Sequence, residues 1–391
     1  MSARAVWLHS EDPFRPADIL SHIHHTKPAT KHQFIPDVPE LDLDNLAILN
    51  DFGGSDARVA LSTTDNVTTL PPWLFGETPD DAGKMHNATP CVVVLVDKGA
   101  EEEVDAFYFY FYSFDRGANI TQVREPLNRL LDDKTEGLHF GNHVGDWEHN
   151  MVRFRHGVPM GIYYSQHEDG AAYSWDSPGL SIRDDRPVVY SAYGSHANYA
   201  SPGNHIHDSA LFDYCDAGQL WDPISSAYIY RFNPSDSTIS PLSPSPTSSN
   251  TASNMTSFFY YTGLWGDEQY EDDDPRQLTV PYFGLKRYVS GPTGPATKQL
   301  VRKGLFPDHR SKKPFLKWAV GVFMAVYPVL FRGWRLWVTA VVVAVLLALF
   351  VFVTRYTIAR YRTRGYQKVD AGIPMNEMGY RTSGEEEARQ L

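Results

Sequence analysis

Cysteine is scarce: Cys91 and Cys215 are the only two in 391 residues. That excludes a disulfide-dense scaffold and a zinc ribbon. In an oxidising lumen the pair could form one disulfide, and two separate buried thiols are the alternative. Positive charge is also short. Lys and Arg number 35 against 47 Asp and Glu, a formal net charge of −12. This argues against a nucleic-acid partner and leaves cation binding open. The first residues, MSARAVWLHSEDPF, lack the apolar stretch of a signal peptide. No internal repeat is visible, and the sequence has no HExxH helix, EF-hand loop or GxSxG turn.

Apolar residues make up 42% of the chain, enough for a sizeable core, and aromatics reach 13%, which favours β structure. Uncharged apolar sequence is long in one place. Leu336–Val353 (LWVTAVVVAVLLALFVFV) carries no charge, and roughly twenty residues at about 1.5 Å each cross a bilayer core. Arg355, Arg360, Arg362, Arg364 and Lys368 follow it and place the tail in the cytosol by the positive-inside rule. The preceding apolar stretch contains Lys317 and Pro328. It is expected to form an interfacial helix, with a second span as the alternative.

The sequons at Asn66, Asn87, Asn119 and Asn254 all precede that run. They point to a lumenal, glycosylated domain on an endomembrane such as vacuole, endosome or Golgi. A lumenal domain conflicts with the missing signal peptide; the expectation is that the chain's true beginning lies upstream, with a cytosolic domain as the alternative. In the tail, Tyr366-Gln367-Lys368-Val369 fits the tyrosine-x-x-apolar signal that clathrin adaptors read in an extended conformation.

The pattern predicts a mainly β domain, sandwich-like, over residues 1–305, opened by a short helix near Pro16–His25. Strands are expected at Cys91–Asp97, Val104–Ser113, Trp147–Arg155, Pro159–Gln166, Ala171–Trp175 and Pro187–Tyr193. Residues 234–257 are rich in Ser, Pro and Thr and read as a disordered insertion. A stalk over Ser290–Pro314 is expected to lead through the interfacial helix (306–335) to the span (336–354) and the tail (355–391).

Chemistry concentrates in GNHVGDWEHN, residues 141–150. By period two, Asp146, Glu148, Asn150, Val152 and Phe154 share a strand face. Val152 and Phe154 mark it as the core face, so Glu148 needs a cation or hydrogen-bond donors. Ser195, His196, His205, His207, Asp208, Asp267 and the ends of neighbouring strands can converge on the same rim. Carboxylates with imidazole and no thiolate suit calcium or magnesium better than zinc. The expected ligands are Asp146, Glu148, His143 and His196. A hydrogen-bonded rim network without metal is the competing reading.

The blocks WLHSEDPFRPADIL, GNHVGDWEHNMVRF, YYSQHEDGAAY, AYGSHANY, LFDYCDAGQLWDP, WGDEQY and RYVSGPTGP together resemble the vacuolar protein sorting-associated protein 62 family of fungi. A related plant family carries similar blocks. HVGDWE is also similar to the GHRHDWE heptapeptide of necrosis- and ethylene-inducing proteins, secreted β-sandwich toxins that hold a divalent cation and dock on membrane sphingolipid glycans. His143, Asp146, Trp147 and Glu148 match, and Gly145 stands at the second histidine. The resemblance implies Asp146 and Glu148 as cation ligands. The expected function is membrane-anchored support of vacuolar sorting through cation-dependent binding of a glycan, lipid or cargo, without enzymatic chemistry. The alternatives are a metal-dependent hydrolase of a lipid or glycan, with His143 or His196 as acid or base, and a structural membrane glycoprotein.

Overall fold

The computed structural model describes residues 5–53, 58–99, 102–131, 137–167, 169–206, 210–242, 254–280, 284–308 and 315–364. Two units separate, Met1–Gly321 and Val322–Leu391. The first is mainly β and is built on two stacked sheets. The strands of these two sheets are β1 (Val6–Leu8), β2 (Cys91–Asp97), β3 (Glu103–Asp115), β4 (His143–Arg155), β5 (Val158–Gln166), β6 (Asp169–Ser174), β7 (Val189–Ser191), β8 (Asn198–Tyr199), β9 (Gln219–Trp221), β10 (Ala227–Asn233) and β11 (Thr238–Pro241). The large sheet has seven strands in the order β6-β5-β4-β3-β2-β10-β11, and the small one has four in the order β8-β7-β1-β9. Pairing is antiparallel except at β2–β10 and β1–β7.

The sequence of β3 sorts the two faces of the large sheet. Phe107, Phe109 and Phe111 alternate with Tyr108, Tyr110 and Tyr112, and all six are buried. The phenylalanines join a core made with Ile19 and Ile23 of helix α1 (Ile19–His24), Leu46, Leu49, Phe258, Tyr261 and Trp265. The tyrosines face the small sheet with Val6, Leu8, Val189 and Trp221. Hydroxyls on that face need partners. Tyr164 donates to Val188 O at 2.9 Å, and Tyr112 Oη lies 3.4 Å from Ser191 Oγ. Each buried ring contributes about 2–3 kcal/mol of apolar burial, which makes this pair of layers the main source of stability.

Strand positions agree with the pattern, Cys91–Asp97 to the residue, while β4 starts four residues before the expected Trp147. The one-sided reading of β4 needs correction. A central strand of a covered sheet is buried on both faces, and Trp147 and Met151 sit in the core opposite Val152. The insertion read over 234–257 holds β11, which pairs with β10 because Ile239 buries its side chain in the core. Residues 243–253 lie outside the described residues.

Of the two readings for the cysteines, the separate buried thiols are the one seen, since no disulfide joins Cys91 and Cys215. Cys91 opens β2 among the tyrosine-face residues, whereas Cys215 belongs to a separate small cluster with Ala192, Ala197 and Tyr199.

The stretch expected to be a stalk is packed down as far as Asp308. Arg302, 1% exposed, lies 4.9 Å from the ring centres of both Phe107 and Tyr163. It donates to the carbonyls of Lys298, Gln299 and Leu305 and to His149 Nε2 at 2.9 Å. Burial pulls its pKa down to about 10, so it stays charged at neutral pH. Arg153, paired with Asp105, donates to the carbonyls of Arg302, Lys303 and Gly304.

In the second part of the chain, α2 (Phe315–Leu330) carries Pro328 inside it, and α3 (Arg335–Arg364) is long and apolar enough to cross a membrane.

Replacing Arg302 by Met keeps much of its stacking area and removes the guanidinium donors. Arg302→Met is expected to lower the stability of the β unit by about 2–4 kcal/mol, read as a drop in the thermal midpoint of tryptophan fluorescence. An unchanged midpoint contradicts the clamp.

Candidate metal centre

The antiparallel register of β3 and β4 places Asp115 opposite His143, Tyr112 opposite Asp146 and Tyr110 opposite Glu148. Two strand ends, distant in sequence, therefore deliver their polar residues to one rim of the sandwich. One ligand atom from each of Asp115, His143 and Asp146 falls within 4.8 Å of the others. Among the described residues this is the one such group of three His, Cys, Asp or Glu side chains.

The imidazole of His143 is set for ligation. Its Nδ1 lies 2.7 Å from Gly145 O and donates to it. That fixes the tautomer and leaves Nε2, 3.5 Å from Asp115 Oδ2, as the lone-pair nitrogen. Burial holds the His143 pKa below its ordinary value, so the ring is neutral at pH 7.

His196 is not in the group. It braces the site from behind. Its Nδ1 is 3.0 Å from Asp146 Oδ2, its Nε2 is 3.5 Å from Asp12 Oδ2, and its ring stacks on Tyr112 at 3.7 Å. Glu148 is also outside the group, one pair further into the sheet, where it accepts from Ser165 Oγ. Ser165 in turn accepts from the His149 N–H at 3.0 Å, so its hydroxyl sits where the β4–β5 ladder opens. Asp12 is held by the N–H groups of Phe14 and Gly194 at 2.9 and 2.8 Å. Asp213 accepts from Tyr199 and His167 at 2.7 and 2.8 Å, and Ser195 Oγ donates to it at 3.2 Å.

Charge is the outstanding feature. Asp12, Asp115, Asp146 and Glu148 are all buried. Among the described residues no Lys or Arg forms an ion pair with any of the four; their nearest nitrogen-bearing side chains are the imidazoles of His143 and His196. Burial pushes the Asp115 and Glu148 carboxyls well above the usual carboxylate range, and the nearby Asp146 charge adds to this. Gathering acids in a low-dielectric interior is unfavourable unless a cation or protons neutralise them. Two carboxylates and one imidazole nitrogen are a donor set suited to calcium, magnesium or manganese.

The backbone at the site is fixed from outside. Gly145 has φ +69°, and a Cβ there would stand 2.0 Å from Trp265 O. Gly266 presses equally on Val144, where a Cβ would fall 1.8 Å from Val144 O. The Trp265 carbonyl is pinned by His22 Nε2 at 2.9 Å, and burial lowers the His22 pKa to about 4.

Asp12 and Asp115 were missed in the sequence. Asp115 lies just past the end expected for β3, and only the strand pairing reveals its relation to His143. Of the sequons, Asn66, Asn87 and Asn254 are exposed and Asn119 is half-buried. Glu168, His207, Asp208 and the tail motif at Tyr366 and Val369 lie outside the described residues.

Residues 129–215 match the family model of vacuolar protein sorting-associated protein 62. The chain is 32% identical over 332 residues to a Saccharomyces cerevisiae protein named as vacuolar protein sorting-associated protein TDA6, covering 77% of this chain and 66% of that one. It is 31% identical over 324 residues to the vacuolar protein sorting-associated protein 62 of the same yeast, covering 76% and 64%. The chain thus spans just under two thirds of the length of each relative. Residues 129–215 thus carry a domain of the vacuolar protein sorting-associated protein 62 family. Two crystal structures also align. One is of the non-toxic HaNLP3 protein, at 12% identity over 58% of this chain and 71% of that one, with TM-score 0.26. The other is of Necrosis and Ethylene inducing Protein 2 from the causal agent of cocoa's witches' broom disease, at 11% identity over 58% and 70%, with TM-score 0.23. Overlap this slight carries no weight for the site.

Gly145→Ala forces a left-handed backbone and a clash with fixed backbone. The expected cost is about 2–4 kcal/mol, larger than for Gly157→Ala, where φ is also positive but nothing lies within 4 Å. Chemical denaturation of the two variants side by side reads the difference, and equal losses would remove the packing argument.

Proposed function

We propose that this protein supports vacuolar protein sorting as a membrane-anchored binding protein whose ligand contact depends on a divalent cation. The observation that carries the cation is the set of four buried carboxyls, none of which forms an ion pair with a Lys or Arg among the described residues. Asp115, His143 and Asp146 would hold the ion, with Asp12 and His196 keeping Asp146 in place and Glu148 adding negative potential behind it. Calcium or magnesium suits the oxygen-rich set, and the ion would present an open face to a glycan, lipid or cargo group. Support for the sorting role comes from the names of the two yeast relatives. Support for the anchor comes from the length and composition of α3. In this reading the β unit is lumenal and glycosylated at Asn66, Asn87, Asn119 or Asn254, and the tail carrying Tyr366 and Val369 meets a clathrin adaptor in the cytosol.

The cation is tested on the purified full chain by calcium and magnesium titration calorimetry. Asp115→Asn and Asp146→Ala are each expected to weaken binding at least about tenfold, equivalent to about 1.4 kcal/mol. Absence of binding by the unaltered chain overturns the cation.

The pH dependence follows from Asp115 and Glu148, whose folded pKa values are raised. Their neutral forms contribute stability that is complete below the unfolded carboxylate pKa, about 4, and is lost as pH rises through the folded values. With chelator present, the thermal midpoint should therefore fall as pH is raised from about 4 through the folded values. Added cation should restore it, by an increment that grows with pH. An increment that does not change with pH contradicts the assignment. Glycosidase treatment of the native chain should increase its gel mobility, and an unchanged band removes the lumenal topology.

A further inference from the structure

Asn150 and Asn198 are both fully buried, at 0% exposure, and neither the amide oxygen nor the amide nitrogen of either has a hydrogen-bond partner among the described residues. They come from opposite sheets, on faces that their cross-strand neighbours turn toward each other. Asn150 on β4 is the cross-strand neighbour of Tyr108 and Tyr164, and cross-strand neighbours share a face. That face meets the small sheet, because Tyr164 Oη reaches Val188 O. Asn198 on β8 is paired with Ser191, whose hydroxyl lies 3.4 Å from Tyr112 Oη on the same face of the large sheet. Asn198 therefore points back toward Asn150's face. β8 also packs against β4 and β5, and Gln166 Nε2 donates to Asn198 O at 3.0 Å.

A carboxamide offers two donors and an oxygen with two lone pairs. The two amides do not bond to each other, although each would satisfy the other at contact distance. A group that satisfied both would have to supply donors and acceptors together. The occupant is neutral, since neither amide is charged and the next carboxyl along the row, Glu148, is engaged by Ser165. We propose that the interlayer gap between Asn150 and Asn198 is a binding site for ordered water that bridges the two sheets behind the metal centre. Buried water commonly makes about three hydrogen bonds to polar groups otherwise left unpaired, which is what this pair provides. The site does not depend on the cation reading, and its test is run with chelator present.

Asn→Leu is close to isosteric and removes all hydrogen bonding. For a bridging water, Asn150→Leu and Asn198→Leu should each lower the thermal midpoint of the full chain by about 2–6 °C. The double variant should lose clearly less than the sum, because the second substitution removes a partner the water has already lost. Midpoints that rise, or losses that simply add, overturn the proposal. A crystal structure of the unaltered chain, grown without glycerol or other polyols, should show density within hydrogen-bond distance of both side chains. An empty gap overturns the proposal even if either variant fails to fold.

Discussion

The long antiparallel pairing of Glu103–Asp115 with His143–Arg155 governs the rest of the molecule. It puts phenylalanines on one face and tyrosines on the other, and so decides which layer can be purely apolar and which must satisfy hydroxyls. The small sheet answers the tyrosine face, and α1 with the loops around Leu46, Phe258 and Trp265 answers the phenylalanine face. The same register sets Asp115 beside His143 at the strand ends. A slip of one residue would turn every ring to the wrong side and would separate the acids at the rim.

Packing and polarity meet at Gly145. The strand can approach the Trp265 backbone only without a side chain, and Trp265 is itself held by His22. The rim thus inherits its geometry from the core. The imidazole of His143 is oriented by the carbonyl of Gly145, the residue that makes this close approach. Asp146 is braced by His196, which is held flat on Tyr112 of the facing strand. The acids are confined by neighbours that were placed for packing reasons, and they have no freedom to separate as their mutual repulsion would favour.

Much of this was legible in the sequence. Cys91–Asp97 and the aromatic run after it are strand signals of the strongest kind, and the apolar run before Arg355 is equally plain. His143 and Asp146 were readable from their density of chemistry in a short segment. Asp115 was not, because a carboxylate at a strand end carries no mark of which strand it will pair with. The role of His196 was also hidden. A histidine near acids reads as a ligand until its second partner, Asp12, is seen across the ring. The face assignment of β4 failed for a general reason: period two identifies a core face only when the other face meets water, and here neither does. The packed segment around Arg302 was invisible, since a lone arginine among Gly, Pro and Lys looks like solvent-exposed linker until two aromatic rings are found on either side of it.

That arginine has a mechanical consequence. Any tension transmitted along the backbone from the C-terminal helices reaches the segment at 298–308 before it reaches a strand of the sandwich. Arg153 holds the carbonyls of Arg302, Lys303 and Gly304 to the large sheet, and Arg302 bonds His149 while tying the segment's own carbonyls together. A pull would have to break these bonds in parallel and drag a guanidinium out from between Phe107 and Tyr163. The clamp therefore works as strain relief, as a cable gland does: a load on the C-terminal end of the chain is taken up at this segment before it reaches the two sheets and the acids at their rim.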